Sequence, residues 1–74
     1  MSHLLDAKGL VCPLPVLRAR KAMKQLGDGD VLEVHATDPS ALKDFPSFCE
    51  ATGHQLLDWR EDGGVYIFRI RKGG

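Results

Sequence analysis

Between Pro13 and Leu26 the apolar residues Val16, Ala19, Met23 and Leu26 recur at steps of three and four, which draws a single apolar stripe along a helix. Gly27 stands where a helix-ending glycine belongs. Behind the turn-forming GDGD, the segment VLEVHA alternates, with Leu32, Val34 and Ala36 on one side and Val31, Glu33 and His35 on the other. Such a period of two marks a strand. Asp38 before Pro39 reads as an N-cap followed by a first helical residue, and Leu42, Phe45, Phe48 and Cys49 carry an apolar face onward to Gly53. Pro46 sits inside that segment. It lacks an amide and disfavours helical geometry at Phe45, so a kink or two short helices are expected. HQLLDWRE, the turn DGG and VYIFRIR form a hairpin pattern with Tyr66, Phe68 and Ile70 on one face. HLLDA, closed by the turn-like KG, completes the set as a short first strand.

The predicted order is β-α-β-α-β-β, an α+β fold. In a chain of 74 residues, two helices and four strands bury their apolar sides only if both helices pack on one face of one mixed sheet. The expected architecture is therefore a two-layer α/β sandwich forming a single domain, residues 1–74. Its first strand-helix-strand unit should be parallel and right-handed, and its last hairpin must be antiparallel. A chain of this length is near the lower limit for a core without disulfides or metal. It has room for one site.

Charge and cysteine usage narrow the function. Ten Lys and Arg balance ten Asp and Glu, so the basic footprint of a nucleic-acid binder is missing. Cys12 and Cys49 show no C-x-x-C or clustered His/Cys spacing, which speaks against a zinc site or a thioredoxin-type dithiol. The apolar runs are far shorter than a membrane span. MSHLLDA has neither a basic n-region nor a long apolar stretch, so the reducing cytoplasm is expected, where a free thiol persists.

Cys12 is the candidate for chemistry. In KGLVCPLPVL it stands between an apolar run and the pair Pro13 and Pro15, which bracket Leu14. Pro13 keeps the residue before it out of helical geometry, so Cys12 is expected to cap the helix, with its sulfur in the positive end of the helix dipole. That position favours the thiolate, the nucleophilic form. Pro15 has no amide to give the sulfur, so field rather than hydrogen bonding would activate it. Arg18, Arg20 and Lys21 follow within the first turns expected for that helix, against the dipole. Arg18 and Lys21 are accordingly read as a basic collar that lowers the cysteine's pKa or docks an acidic partner. No base stands beside Cys12 in sequence, although the fold could bring His3, His35 or His54 near. A thiol with no partnered base and no evident pocket reads as a carrier more than a self-contained enzyme. Cys49, beside Phe48, reads as a small core residue.

The stretches LDAKGLVCPLPVLRARKAM, ATDPSALKDFPSFCEATGH and IRKGG resemble the TusA/SirA-like sulfur carriers, whose motif is a Cys-Pro-x-Pro opening the first helix. The resemblance implies a persulfide on Cys12, with Pro13, Leu14 and Pro15 shaping its turn. It implies a cysteine desulfurase as donor, whose pyridoxal phosphate belongs to that enzyme, while this chain itself binds no cofactor and no metal. Cargo would pass to another relay protein, in the route to 2-thiouridine in transfer RNA, without direct contact to nucleic acid or membrane. Relatives in sulfur-oxidising organisms exchange sulfur with rhodanese-type and DsrE-type proteins. Leu14 stands where the tRNA-modifying members can carry an acidic residue, which keeps sulfur oxidation open. Three other readings differ in chemistry. A thiocarboxylate on the C-terminal Gly73-Gly74 would match ubiquitin-like carriers, although those begin with a hairpin. A peroxide sensor would use Cys49 as resolving thiol. A binding module would be indifferent to Cys12→Ser.

Overall fold

In a computed structural model, which describes residues 2–73, the chain forms β1 (Ser2–Ala7), α1 (Leu14–Met23), β2 (Val31–Ala36), α2 (Ala41–Thr52), β3 (Gln55–Asp62) and β4 (Val65–Arg71). Gly74, half of the C-terminal diglycine, lies outside the described residues. The sheet order is β1-β2-β4-β3. β1 and β2 are parallel, joined through α1, and β4 runs antiparallel to both β2 and β3. The mixed sheet matches the expected order.

Register places the core. His3 pairs with Leu32, Leu5 with Val34 and Ala7 with Ala36, while Leu32, Val34 and Ala36 pair with Ile70, Phe68 and Tyr66. Alternate residues therefore aim one apolar face at the helices. Against it pack Ala19 and Met23 of α1 and Ala41, Phe45, Phe48 and Cys49 of α2. Phe45 stacks on Phe68 with ring centroids 4.7 Å apart and meets Phe48 edge-on at 6.4 Å. The other sheet face carries Glu33 bonded to His35 at 2.7 Å and Asp58 bonded to Arg69 at 2.9 Å. A two-residue Gly63-Gly64 turn closes the hairpin with φ of 57° and 86°, a conformation open to glycine at little cost.

Several element ends differ from the sequence reading. α1 stops at Met23 rather than Leu26, because Gln25 and Leu26 donate to Ala22 and Met23, three residues back. This tighter turn still buries Leu26, whose carbonyl accepts from the Lys72 ammonium at 2.6 Å. Gly27 is not a left-handed cap; its amide donates to Asp30. α2 is one continuous helix across Pro46. Pro46 and Leu42 are both exposed, so water can serve the Leu42 carbonyl left without its usual donor. Leu42 lies off the core, and Ala41 fills the place expected for it.

Phe68 is fully buried at the centre of the aromatic cluster. Phe68→Ala should lower stability by about 3–5 kcal/mol, a large share of what so short a chain possesses. Urea unfolding would measure it, and a loss below about 1 kcal/mol would mean that the cluster is not the core's centre.

Candidate functional site

Cys12 lies in the loop between β1 and α1, and that loop is tied down from outside itself. The Gly9 amide donates to Thr37 Oγ1 at 2.9 Å and the Cys12 amide to Asp38 Oδ2 at 2.7 Å. Both acceptors directly follow β2, whose parallel pairing with β1 brings the two strand ends together. Asp38 uses its other oxygen, Oδ1, to accept from the Ser40 amide at 3.1 Å. One carboxylate thus holds the cysteine loop and the entry to α2. These two amides, with Cys12 contributing most, keep the Asp38 carboxyl below its ordinary value.

The cysteine does not cap α1. Pro13 occupies the N-cap, with no side-chain cap hydrogen bond, and Cys12 sits one residue earlier in a turn closed by Leu14 N to Val11 O at 2.9 Å. The Cys12–Pro13 peptide bond is cis. Because Val11 takes the Leu14 amide and Pro15 has none, neither residue can donate to the sulfur. The expected depression of the thiol pKa is also reversed: the Cys12 thiol is held above its ordinary value, chiefly by the nearby Asp44 carboxylate, then by partial desolvation, with Asp38 adding further negative charge.

The sulfur opens into a cleft of about 310 Å³ lined by Pro13, Val16 and Arg20 of the α1 side and Asp44, Ser47, Phe48 and Ala51 of α2. Arg20 places its guanidinium carbon 5.5 Å from the centre of the Phe48 ring, within cation–π range. Arg18 and Lys21 do not share this cleft. They line a separate depression with Leu5, Ala22 and Gln25; at about 100° per residue Arg18, two residues from Arg20, points nearly opposite to it, and Lys21, one residue away, points about a quarter turn from it. Arg20 and Lys21 also fall in the last turn of the shorter α1, where positive charge complements the dipole instead of opposing it. The surface next to the sulfur is largely apolar: Val11, Leu14 and Leu17 are 65%, 42% and 51% exposed.

No histidine joins the cysteine. His3 lies 3.7 Å from Asp30 and His35 pairs with Glu33. His54 accepts from the Gly73 amide at 3.1 Å and lines a neighbouring depression with Lys72. Burial and Lys72 hold its pKa down. Cys12 and Cys49 are both free thiols, the first exposed and the second buried. Burial pushes Cys49 up to about 11, as an inert core thiol requires. Among the described residues no cluster of three or more His, Cys, Asp and Glu could hold a metal, and no helix is long and apolar enough to cross a membrane.

Residues 3–72 match the family model for Sulfurtransferase TusA. The chain belongs to the TusA family of sulfur carriers. It is 50% identical to the sulfur carrier protein TusA of Allochromatium vinosum over 68 residues, covering 92% of this chain and 90% of that one. It is likewise 50% identical over 68 residues to the sulfur carrier protein TusA of Pseudomonas entomophila, covering 92% of this chain and 85% of that one. The crystal structure of a SirA-like protein from Desulfitobacterium hafniense superposes with a TM-score of 0.84 at 34% identity, over the whole of both chains. Membership in the TusA family brings with it sulfur-relay partners in general terms.

The sequence does not mark Asp38 and Asp44 as site residues, and it shows Arg20 only as one of three basic residues behind the cysteine, of which Arg18 and Lys21 are the ones expected to dock a partner. Helical phase could have found Asp44 and Arg20: Arg20 is one turn beyond Val16, and Asp44 one turn before Phe48. Asp38 is not the N-cap of α2, a place that Ser40 takes with Ala41 as the first helical residue; its Oδ2 instead reaches a loop 26 residues away. Asp38→Ala should lower the urea midpoint near neutral pH. The folded-state pKa is depressed, so the contribution is full above the ordinary value of 3.8 and fades as pH falls through the folded value. The gap between variant and wild type should therefore close in acid. A gap that persists unchanged at pH below both values would show that the carboxylate's charge is not what holds the loop.

Proposed function

We propose that Cys12 carries sulfane sulfur as a persulfide between proteins. The observation that carries this reading is an exposed thiol on a turn anchored at its own amide, in a chain of the TusA family. The exposed cysteine lines an open cleft with no histidine base, as suits a group that must enter another protein's active site. The Cys12 thiolate attacks the outer sulfur of a donor persulfide; a new S–S bond forms at Cys12 Sγ, the donor's S–S bond breaks, and the donor cysteine leaves as thiolate. The same exchange with an acceptor thiolate empties the carrier. Neither step needs a cofactor or metal on this chain, and Pro13, Leu14 and Pro15 serve by shaping the turn.

The donor fitting this chemistry is a cysteine desulfurase, whose pyridoxal phosphate releases sulfur from cysteine. The acceptor is a DsrE-type or rhodanese-type relay protein, and the downstream product is 2-thiouridine in transfer RNA, with the cytoplasm as the setting. Exposed, apolar Leu14 supports a second route, the same carrier chemistry in sulfur oxidation. Incubation with each acceptor class, following which one removes the sulfur, separates the two. Intact mass after incubation with desulfurase and cysteine should show the gain of one sulfur atom that reductant removes. Cys12→Ser should gain none, and Cys49→Ser should gain it normally. Sulfur appearing in place of oxygen at the C-terminus would instead make the diglycine the carrier.

Docking is proposed to run through the apolar flank of Val11, Leu14 and Leu17 together with Arg20. Arg20→Glu should slow loading by the desulfurase several-fold, more at low salt than at high. Arg18→Glu and Lys21→Glu, at residues that line the separate depression on α1 and not the cysteine's cleft, provide the contrast. If they slow loading as much as Arg20→Glu does, the contact surface extends around the helix to the two residues first expected to form it.

A further inference from the structure

Asp44 is a feature that sulfur carriage alone does not require. It projects from the first turn of α2 into the cleft that holds Cys12. We propose that Asp44 sets the direction of sulfur transfer, keeping the empty carrier as a neutral thiol and destabilising the loaded, anionic carrier so that sulfur moves on. This rests on the persulfide reading.

The argument is one of differential interaction. Asp44 and Cys12 line the same cleft, and in the empty carrier the Asp44 carboxylate is the largest influence favouring the protonated thiol. A hydropersulfide gives up its proton more readily than the parent thiol, so the loaded group is an anion at neutral pH. An anion beside Asp44 is repelled where the neutral thiol was favoured. The charged groups around the sulfur come from three elements: Asp44 from α2, Asp38 from the segment before α2, and Arg20 from α1. Of the charged residues that line the cleft with Cys12, Asp44 repels an anionic outer sulfur and Arg20 attracts it.

The proton balance closes without an outside reagent. On loading, the Cys12 thiol and an anionic donor persulfide become a Cys12 persulfide anion and a donor thiol; the proton leaves Cys12 Sγ by way of the Asp44 carboxylate and ends on the departing donor sulfur. On unloading, an acceptor thiol loses its proton and attacks the outer sulfur. The S–S bond at Cys12 breaks, and Sγ takes up that proton against Asp44. Oxidation state is conserved, because the transferred sulfur leaves one persulfide and enters another.

The test compares wild type, Asp44→Asn and Asp44→Glu, with urea unfolding to confirm that each is folded. Iodoacetamide alkylation of Cys12 across pH requires no sulfur cargo. In Asp44→Asn its profile should move to lower pH, with alkylation several-fold faster near neutrality. A tenfold gain in thiolate costs only about threefold in intrinsic nucleophilicity, so the faster rate survives. Sulfur loaded by a desulfurase and offered to glutathione should then leave Asp44→Asn several-fold more slowly than wild type, and Asp44→Glu should restore both behaviours. An unchanged alkylation profile would overturn the proposal even if persulfide forms normally, and a shifted profile with unchanged release would overturn the directional role. If wild type acquires no sulfur at all while the profile still shifts, the carrier reading fails and the directional role fails with it, leaving Asp44 as a thiol-tuning residue only.

Discussion

The Asp38 carboxylate accepts the Cys12 amide on one oxygen and the Ser40 amide on the other. A loop bearing a reactive thiol would ordinarily be mobile, and a helix start leaves amides unsatisfied. One anion answers both requirements. It can do so only because parallel pairing of β1 with β2 delivers the two following loops to the same edge of the sandwich. The Gly9 to Thr37 bond beside it gives the loop a second attachment. The sulfur is thus presented at a defined place while its own side chain stays exposed.

Everything else about the site follows from which helix faces meet above the sheet. The α1 face with Pro13, Val16 and Arg20 and the α2 face with Asp44, Ser47, Phe48 and Ala51 form the cleft walls. Its floor is supplied by the aromatic cluster that also holds the fold together, since Phe48 belongs to both. Core and site therefore share a residue. The electrostatic character is mixed: a carboxylate dominates at the sulfur and the Arg20 guanidinium belongs to the same cleft lining. A thiol in such surroundings is less reactive at rest than a helix-capping cysteine would be, which suits a carrier that must ignore stray electrophiles and react inside a partner.

The family likeness and the physical reading meet at Cys12 but carry different content. The likeness to sulfur carriers covers nearly the whole chain, and it says what kind of cargo is carried. The geometry says how the thiol is held and what acts on its proton, and it puts Arg20, rather than Arg18 or Lys21, in the lining of the cysteine's cleft. The apolar flank at Val11, Leu14 and Leu17 adds desolvatable surface close to the thiol, which a protein partner can cover.

By itself the sequence determined the order β-α-β-α-β-β, the core faces of β2 and β4, the exposed Cys12 and the buried Cys49. Each of these rests on local periodicity or on the chemistry of neighbouring residues, which a linear reading contains. It also carried the Gly-Gly hairpin turn, for the same reason, whereas the entry to α2 lies two residues later than the Asp-Pro pair implied, with Ser40 as the N-cap. The termination of α1 at Met23, the cap at Pro13 rather than Cys12, and the continuity of α2 through Pro46 were decided elsewhere. Lys72, 46 residues from the carbonyl it binds, and Asp38, 26 residues from the amide it receives, act on element ends from a distance in the chain. The sign of the thiol's pKa shift was likewise a tertiary matter. A local reading saw only the dipole of the helix that follows Cys12, whereas packing of α2 against α1 brought a carboxylate into the cysteine's cleft, and charge at close range outweighs a helix end whose Leu14 amide is already bonded to Val11 and whose Pro15 has none.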